Sequence, residues 1–182
     1  THPGVTLDRV TEVENPNYLF VRLRIGDAAT PGTIPLRFRH DEGTLTRSFE
    51  LRPRRTGTYA QGFSSEDVIY LLMPDRFANG TPENDSIPGF LEGVDRSDPD
   101  ARHGGDFAGV REHLDYIDDL GMTALWMTPI FENDMPPEYG AYHGYAATDM
   151  YRVDPRFGSN DTFRRLVESA HERDLKVIMD MI

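Results

Sequence analysis

Three apolar runs of strand length, VIYLLM (68–73), TALWMTPI (123–130) and LKVIMDMI (175–182), are separated by stretches of helical period. An unbroken apolar strand has both faces buried, which a parallel sheet allows and a one-sided antiparallel sheet does not. Between the runs, Phe107, Val110, Leu114, Ile117 and Leu120 recur at helical spacing until Gly121, and Phe163, Leu166, Val167 and Ala170 mark a second helix capped by Ser159 or Asn160. The order strand, helix, strand, helix, strand predicts a βαβαβ unit with a parallel sheet. Right-handed crossovers then carry both long loops, 74–106 and 128–158, to the carboxyl ends of the strands, where α/β folds keep their sites. Pattern alone leaves open a doubly wound sheet or the start of an eight-stranded barrel.

The first third of the chain has a different grammar. Over 18–52, Leu19, Val21, Leu23 and Ile25 share one face against Arg22 and Arg24, Ile34, Leu36 and Phe38 repeat the alternation, and Leu45, Phe49 and Leu51 continue it. With Val5–Val10 as a further strand, this predicts half-buried antiparallel sheet, part of a thin β-sandwich spanning 1–52. RPRRTGTYAQGFSS has Pro, Gly and Ser without periodicity, so 53–65 reads as a linker, and 66–182 as the α/β domain. The start, THPGVTLDRV, has neither an initiating Met nor an apolar leader, as expected of a trimmed or processed piece.

Charge narrows the partners. A net charge of −12 opposes nucleic-acid binding, which draws most of its affinity from cations on phosphates. No apolar run approaches the ~20 residues of a membrane span, so no membrane partner is expected. With no cysteine, disulfides and thiolate chemistry are excluded. Lys176 is the only lysine among 19 basic residues, a bias that suits either a salt-adapted surface or arginine-rich codon usage.

Two segments carry candidate chemistry. YGAYHGYAATDMYRVDPRFG (139–158) gathers Tyr139, Tyr142, Tyr145, Tyr151, His143, Asp149 and Asp154 around flexible glycines. Flat aromatic faces beside hydrogen-bonding groups suit a sugar ring, and equally suit a loop that buries tyrosines over a core. MPDRFANGTPEND and RHGGDFAG supply Asn79, Asn84, Asp85 and Asp106, hard oxygen donors fit for calcium or for Asx turns that cap their own backbone.

These segments together, DVIYLLMPDRFANGTPEND, HGGDFAGVREHLDYIDDLGMTALWMTPIFEN, YHGYAATDMYRVDPRFGSNDTF and LKVIMDMI, resemble glycoside hydrolase family 13, the α-amylase family, and most closely its neopullulanase and cyclomaltodextrinase branch. The resemblance runs almost unbroken over 65–182. It implies an immunoglobulin-like β-sandwich, here partial, followed by the first β/α units of a (β/α)8 TIM barrel that stops in its third strand. By the same resemblance, Tyr145 corresponds to the aromatic that stacks under the sugar beside the scissile bond and His143 to a neighbour hydrogen-bonding it. Asp180 corresponds to the acid at the end of the third strand that orients partners, while Asp75 and Arg76 are candidates for an ion pair at the mouth of the first. For calcium, the branch's pattern implies Asn79, Asn84, Asp85, the Gly104 carbonyl and Asp106 as ligands. Thr81 stands where an aspartate is usual, which removes a charge and should weaken the site.

The implied activity is retaining hydrolysis of α-1,4 glucosidic bonds, with α-1,6 bonds left open, in starch, pullulan or cyclodextrins. Family members use an aspartate nucleophile and a glutamate acid/base roughly 5–5.5 Å apart. Both lie on later strands, so none of Glu132, Asp134, Glu138 or Asp149 is assigned to catalysis, and these 182 residues should be inert alone. An α-glucan transglycosylase of the same family would share every residue seen here, and a carbohydrate-binding module remains the competing class. The branch occurs in cytoplasm and periplasm. Three strands with open edges further predict dimerisation or some other cover.

Overall fold

The computed structural model describes residues 2–41, 43–54 and 62–182. The chain divides into two compact units, Thr1–Ala60 and Gln61–Ile182, and the reading of a linker over 53–65 falls partly on residues 55–61, outside the described residues.

In the first unit, β1 (Val5–Glu12) pairs antiparallel with β2 (Leu19–Ile25), and β3 (Gly32–His40) with β4 (Gly43–Leu51). The alternation sets the register, since Leu7 faces Leu23, Val10 faces Val21, Ile34 faces Phe49 and Phe38 faces Leu45. A bulge between Leu7 and Arg9 lets β1 keep both Leu7 and Val10 opposite apolar partners. The strands form separate two-stranded sheets, and among the described residues of this unit only Ile34 is a buried hydrophobe, with Leu7 62% exposed. Two-stranded ribbons bury too little surface to make a core of their own.

In the second unit, β5 (Ile69–Leu72), β6 (Ala124–Met127) and β9 (Lys176–Met179) form a parallel sheet in the order β5-β6-β9. The alternating pleat sends Leu72, Leu125 and Met127 into a core with Phe107, Val110, Leu114, Ile117, Leu166 and Ala170 from the crossover helices. The opposite face, with Leu71 and Trp126, is exposed. The third strand ends at Met179, not at the end of the apolar run, so Asp180 stands just past its carboxyl end. At the other end of the sheet, Asp67 accepts hydrogen bonds from Lys176 Nζ (2.8 and 2.9 Å), Thr123 Oγ1 (2.8 Å) and the Ser64 amide (2.7 Å), joining the starts of all three strands.

The predicted single helix over 107–120 is two, α2 (Phe107–Glu112) and α3 (Leu114–Asp119), after a one-turn α1 (Pro74–Phe77). His113 makes the break. Its Nδ1 takes the Gly109 carbonyl at 2.8 Å, the acceptor its own amide would use in a continuous helix, and that amide bonds Val110 instead. α4 (Asn160–His171) is capped by Ser159, whose Oγ accepts from the Thr162 amide while Thr162 Oγ1 accepts from the Ser159 amide. Such a cap is worth about 1 kcal/mol. Inside the second long loop, β7 (Phe131–Glu132) and β8 (Asp149–Val153) form an antiparallel ribbon that periodicity did not reveal.

Candidate functional site

The site lies at the carboxyl ends of β6 and β9. Asp180 Oδ2 accepts the phenolic proton of Tyr145 at 2.7 Å and the indole N–H of Trp126 at 3.1 Å. Trp126 alternates away from the helices by the pleat, and Asp180 follows β9, so neighbouring strands bring the two side chains together. Tyr145 is 47% exposed, leaving much of its ring available. The hydrogen bond to Asp180, then burial and the carboxylate charge, raise the Tyr145 hydroxyl above its usual range, so it stays a donor.

The backbone bend that presents Tyr145 depends on Gly144. Its φ is +91°, and a Cβ there would lie 2.0 Å from the Pro129 carbonyl oxygen, so no larger residue fits without displacement. Half-buried His143 accepts the Tyr145 amide on Nδ1 at 2.9 Å, and the two rings sit 5.6 Å apart. Tyr145, His143 and Asp180 are thus one cluster. The other tyrosines divide: Tyr142 lies against the Arg76 guanidinium, whereas Tyr139 and Tyr151 are largely exposed.

The predicted metal residues also converge, on the loop after β5. Asp106 caps α2, with Oδ1 accepting from the amides of Gly109 (2.7 Å) and Gly80 (3.1 Å). Asn79 donates to Asp85 and accepts the Thr81 amide at 3.1 Å. Gly104, at φ +84°, approaches so closely that a Cβ would sit 2.6 Å from Asp85 Oδ1. Two buried oxygens here, Asn84 Oδ1 and Asp106 Oδ2, lack a hydrogen-bond partner. Such atoms are costly unless something satisfies them. Among the described residues no group of three or more His, Cys, Asp or Glu could hold a metal ion, and the donors here are instead two carboxylates with amide and backbone oxygens. That set fits a hard cation of the calcium type.

Sequence reasoning missed the buried polar network behind the site. Asp154 accepts from Arg156 Nε (2.9 Å), Arg156 Nη2 (2.8 Å) and the Asn133 amide (3.1 Å), and lies 3.7 Å from Arg102. Arg102 also holds Glu92 at 3.2 Å and bonds Asn133, and all five side chains are buried. Burial pushes the Asp154 carboxyl up, but the Arg156 hydrogen bonds and both guanidinium charges outweigh it and hold it low. Burial also lowers Arg102, against the opposing pull of Asp154. Asp154 fixes a local turn by accepting the Arg156 amide, and it also locks the 74–106 loop to the 128–158 loop. The one trace in the sequence, Asp and Arg two apart in VDPRF, is too common to single out.

A parallel βαβαβ sheet whose carboxyl rim presents an exposed aromatic beside a carboxylate defines a β/α domain with its candidate site at that rim. The chain belongs to the alpha-amylase family: the sequence model of the alpha amylase catalytic domain matches residues 71–182, and that of the cyclomaltodextrinase N-terminal domain matches residues 1–55. It is 43% identical over 122 residues to neopullulanase 2 of Thermoactinomyces vulgaris, covering 66% of this chain and 20% of that protein. It is 40% identical over 121 residues to a cyclomaltodextrin glucanotransferase of Bacillus sp. (strain 1-1), covering 64% of this chain and 17% of the relative. The crystal structure of an Anoxybacillus alpha-amylase superposes with a TM-score of 0.57 at 49% identity, covering 64% of this chain and 24% of that one. The chain therefore spans about a sixth to a quarter of the length of these proteins.

Proposed function

We propose that the protein acts on α-glucans by retaining cleavage of α-1,4 or α-1,6 glucosidic bonds, and that residues 1–182 contribute a sugar platform and a cation loop but not the catalytic acids. The reading is carried by the Tyr145–Asp180 hydrogen bond, which pins an exposed aromatic face at the carboxyl rim of a sheet in an alpha-amylase family member. In it, Tyr145 stacks on the sugar's C–H face, His143 bonds its hydroxyls, and Asp180 holds the phenol in place. Trp126, the only tryptophan, donates to the same carboxylate and so reports on the platform. Maltotriose titrated into the chain should change Trp126 emission, Tyr145→Ala should abolish the response, and no p-nitrophenyl maltoside should be cleaved. An unchanged emission at saturating sugar, or turnover by these residues, would overturn the reading.

A calcium ion belongs to the same proposal. The partnerless Asn84 and Asp106 oxygens, the Gly104 cradle and the absence of soft ligands in the loop support it. Asn79, Asn84, Asp85, Asp106 and the Gly104 carbonyl would hold the ion, with Thr81 a neutral sixth position. Its charge would satisfy the buried oxygens and fasten the loop to the start of α2.

Transglycosylation is the second reading. The glucanotransferase relative is nearly as similar as the neopullulanase, and the choice of water or sugar as acceptor is made by residues outside this platform. As a polypeptide by itself, the chain would act as a carbohydrate-binding module.

A further inference from the structure

Asp75 and Arg76 lie between the cation loop and the sugar platform and touch both. Asp75 is buried, and its carboxylate accepts the amides of His103 (2.9 and 3.1 Å) and Gly104 (3.3 Å), which hold the backbone at Gly104. It also ion-pairs with Arg76. Arg76 Nη2 donates to the Pro99 carbonyl at 2.7 Å, and its Cζ lies 3.8 Å from the centre of the Tyr142 ring. Tyr142 in turn meets the His143 ring edge-on at 5.6 Å, and His143 accepts the Tyr145 amide. Every link from Gly104 to Tyr145 is a direct contact. A guanidinium can grip a carboxylate and a carbonyl at its edge while offering its flat face to a ring, which an ammonium cannot.

We propose that Arg76 is the positioning residue of the sugar platform, acting as a shelf under Tyr142, and that Asp75 links this shelf to the cation loop so that calcium steadies residues 139–145. The proposal rests on the cation and sugar assignments above for its purpose, but the shelf stands on geometry alone. Asp75 and Arg76 belong to α1, after β5, whereas Tyr142 belongs to the segment after β6, so neither segment's local sequence encodes the contact.

The test is hydrogen exchange by mass spectrometry on the chain, wild type against Arg76→Ala and Arg76→Lys, with and without calcium chloride. Without calcium, the Gly144 and Tyr145 amides should exchange roughly 2- to 30-fold faster in Arg76→Ala, the span of one cation–π contact, while strands β5, β6 and β9 keep their protection. Arg76→Lys keeps the charge beside Asp75, so it should preserve protection at His103 and Gly104 but not at 144–145. Equal exchange at 144–145 in all three proteins overturns the shelf, and full rescue by lysine reduces it to a charge effect and also overturns it. With calcium, wild-type 139–145 should slow together with 79–85, and Arg76→Ala should slow only at 79–85. Slowing of both segments in the variant, or of neither in wild type, overturns the link. A wild type that ignores maltotriose while passing the calcium-free comparison removes the sugar reading and leaves the shelf standing.

Discussion

Tyr145 donates a 2.7 Å hydrogen bond to Asp180 across 35 residues of chain. One residue comes from the loop after β6 and the other from the end of β9, so the bond exists only when the parallel sheet has formed. It makes the orientation of the exposed ring a consequence of strand pairing.

Removing only the hydroxyl isolates that consequence. Tyr145→Phe keeps the ring but loses one hydrogen bond to a charged group, worth about 1.5–3 kcal/mol at most. Maltotriose affinity followed by Trp126 emission should fall by up to about two orders of magnitude, short of the complete loss expected for Tyr145→Ala. Identical affinities for wild type and Tyr145→Phe would mean that Asp180 does not orient the ring.

The Asp154 network should dominate stability. Asp154→Asn leaves Arg102 and Arg156 buried without their shared carboxylate, and breaking a buried ion pair costs about 3–5 kcal/mol. Urea denaturation should show a loss of that size. A loss below about 1 kcal/mol, the range of exposed pairs, would show that water reaches the cluster.

Acid should act at Asp67. Its hydrogen bonds with Lys176, then those from the Ser64 amide and Thr123, lower its carboxyl from 3.8 to about 2. A depressed carboxyl contributes stability that is complete above its unfolded value and lost as pH falls through the folded one. Thermal midpoints should therefore decline as pH drops from about 4 towards 2, and Asp67→Asn should flatten that part of the curve. Lys176→Met should lower the midpoint at neutral pH and shrink the acid slope. A slope unchanged in Asp67→Asn would assign it to other carboxyls.

Calcium should stabilise the chain through the 79–85 and 104–106 loops. EDTA should lower the melting temperature, and at a free ion concentration 100 times its dissociation constant the gain is about 2.7 kcal/mol. Thr81→Asp adds a carboxylate and should tighten binding in calorimetry, whereas Asp106→Ala should weaken it and also loosen the start of α2. A melting temperature indifferent to EDTA, with no metal found by elemental analysis, would leave the loop a set of turns.

The open side of the sheet should drive self-association. Leu71, Trp126, Met179, Met181 and Ile182 are all exposed, and β5 and β9 are edge strands. Light scattering should give a mass above one chain of 20.7 kDa, and a stable monomer at high concentration would contradict this.

Period and punctuation were enough to find the strands of the first unit and of the parallel sheet, a cap at Ser159 or Asn160 and the crossover helices, because side-chain alternation and helical spacing are local consequences of burial. Local composition marked Tyr145, His143 and the oxygen-rich loop as candidates, since those residue types stand close together, whereas Asp180 was implied only by the family resemblance. Local pattern failed at His113, where a ring nitrogen competes with the backbone for one carbonyl, and at the β7–β8 ribbon, where pairing reaches across a loop. It could not find the Arg102–Asp154–Arg156 network or the Arg76–Tyr142 stack, whose members sit in different loops and meet only once the sheet has brought the two loops to one end. Tertiary structure decided those contacts because the favourable geometry of a charge or a ring depends on distance through space, which spacing along the chain does not encode.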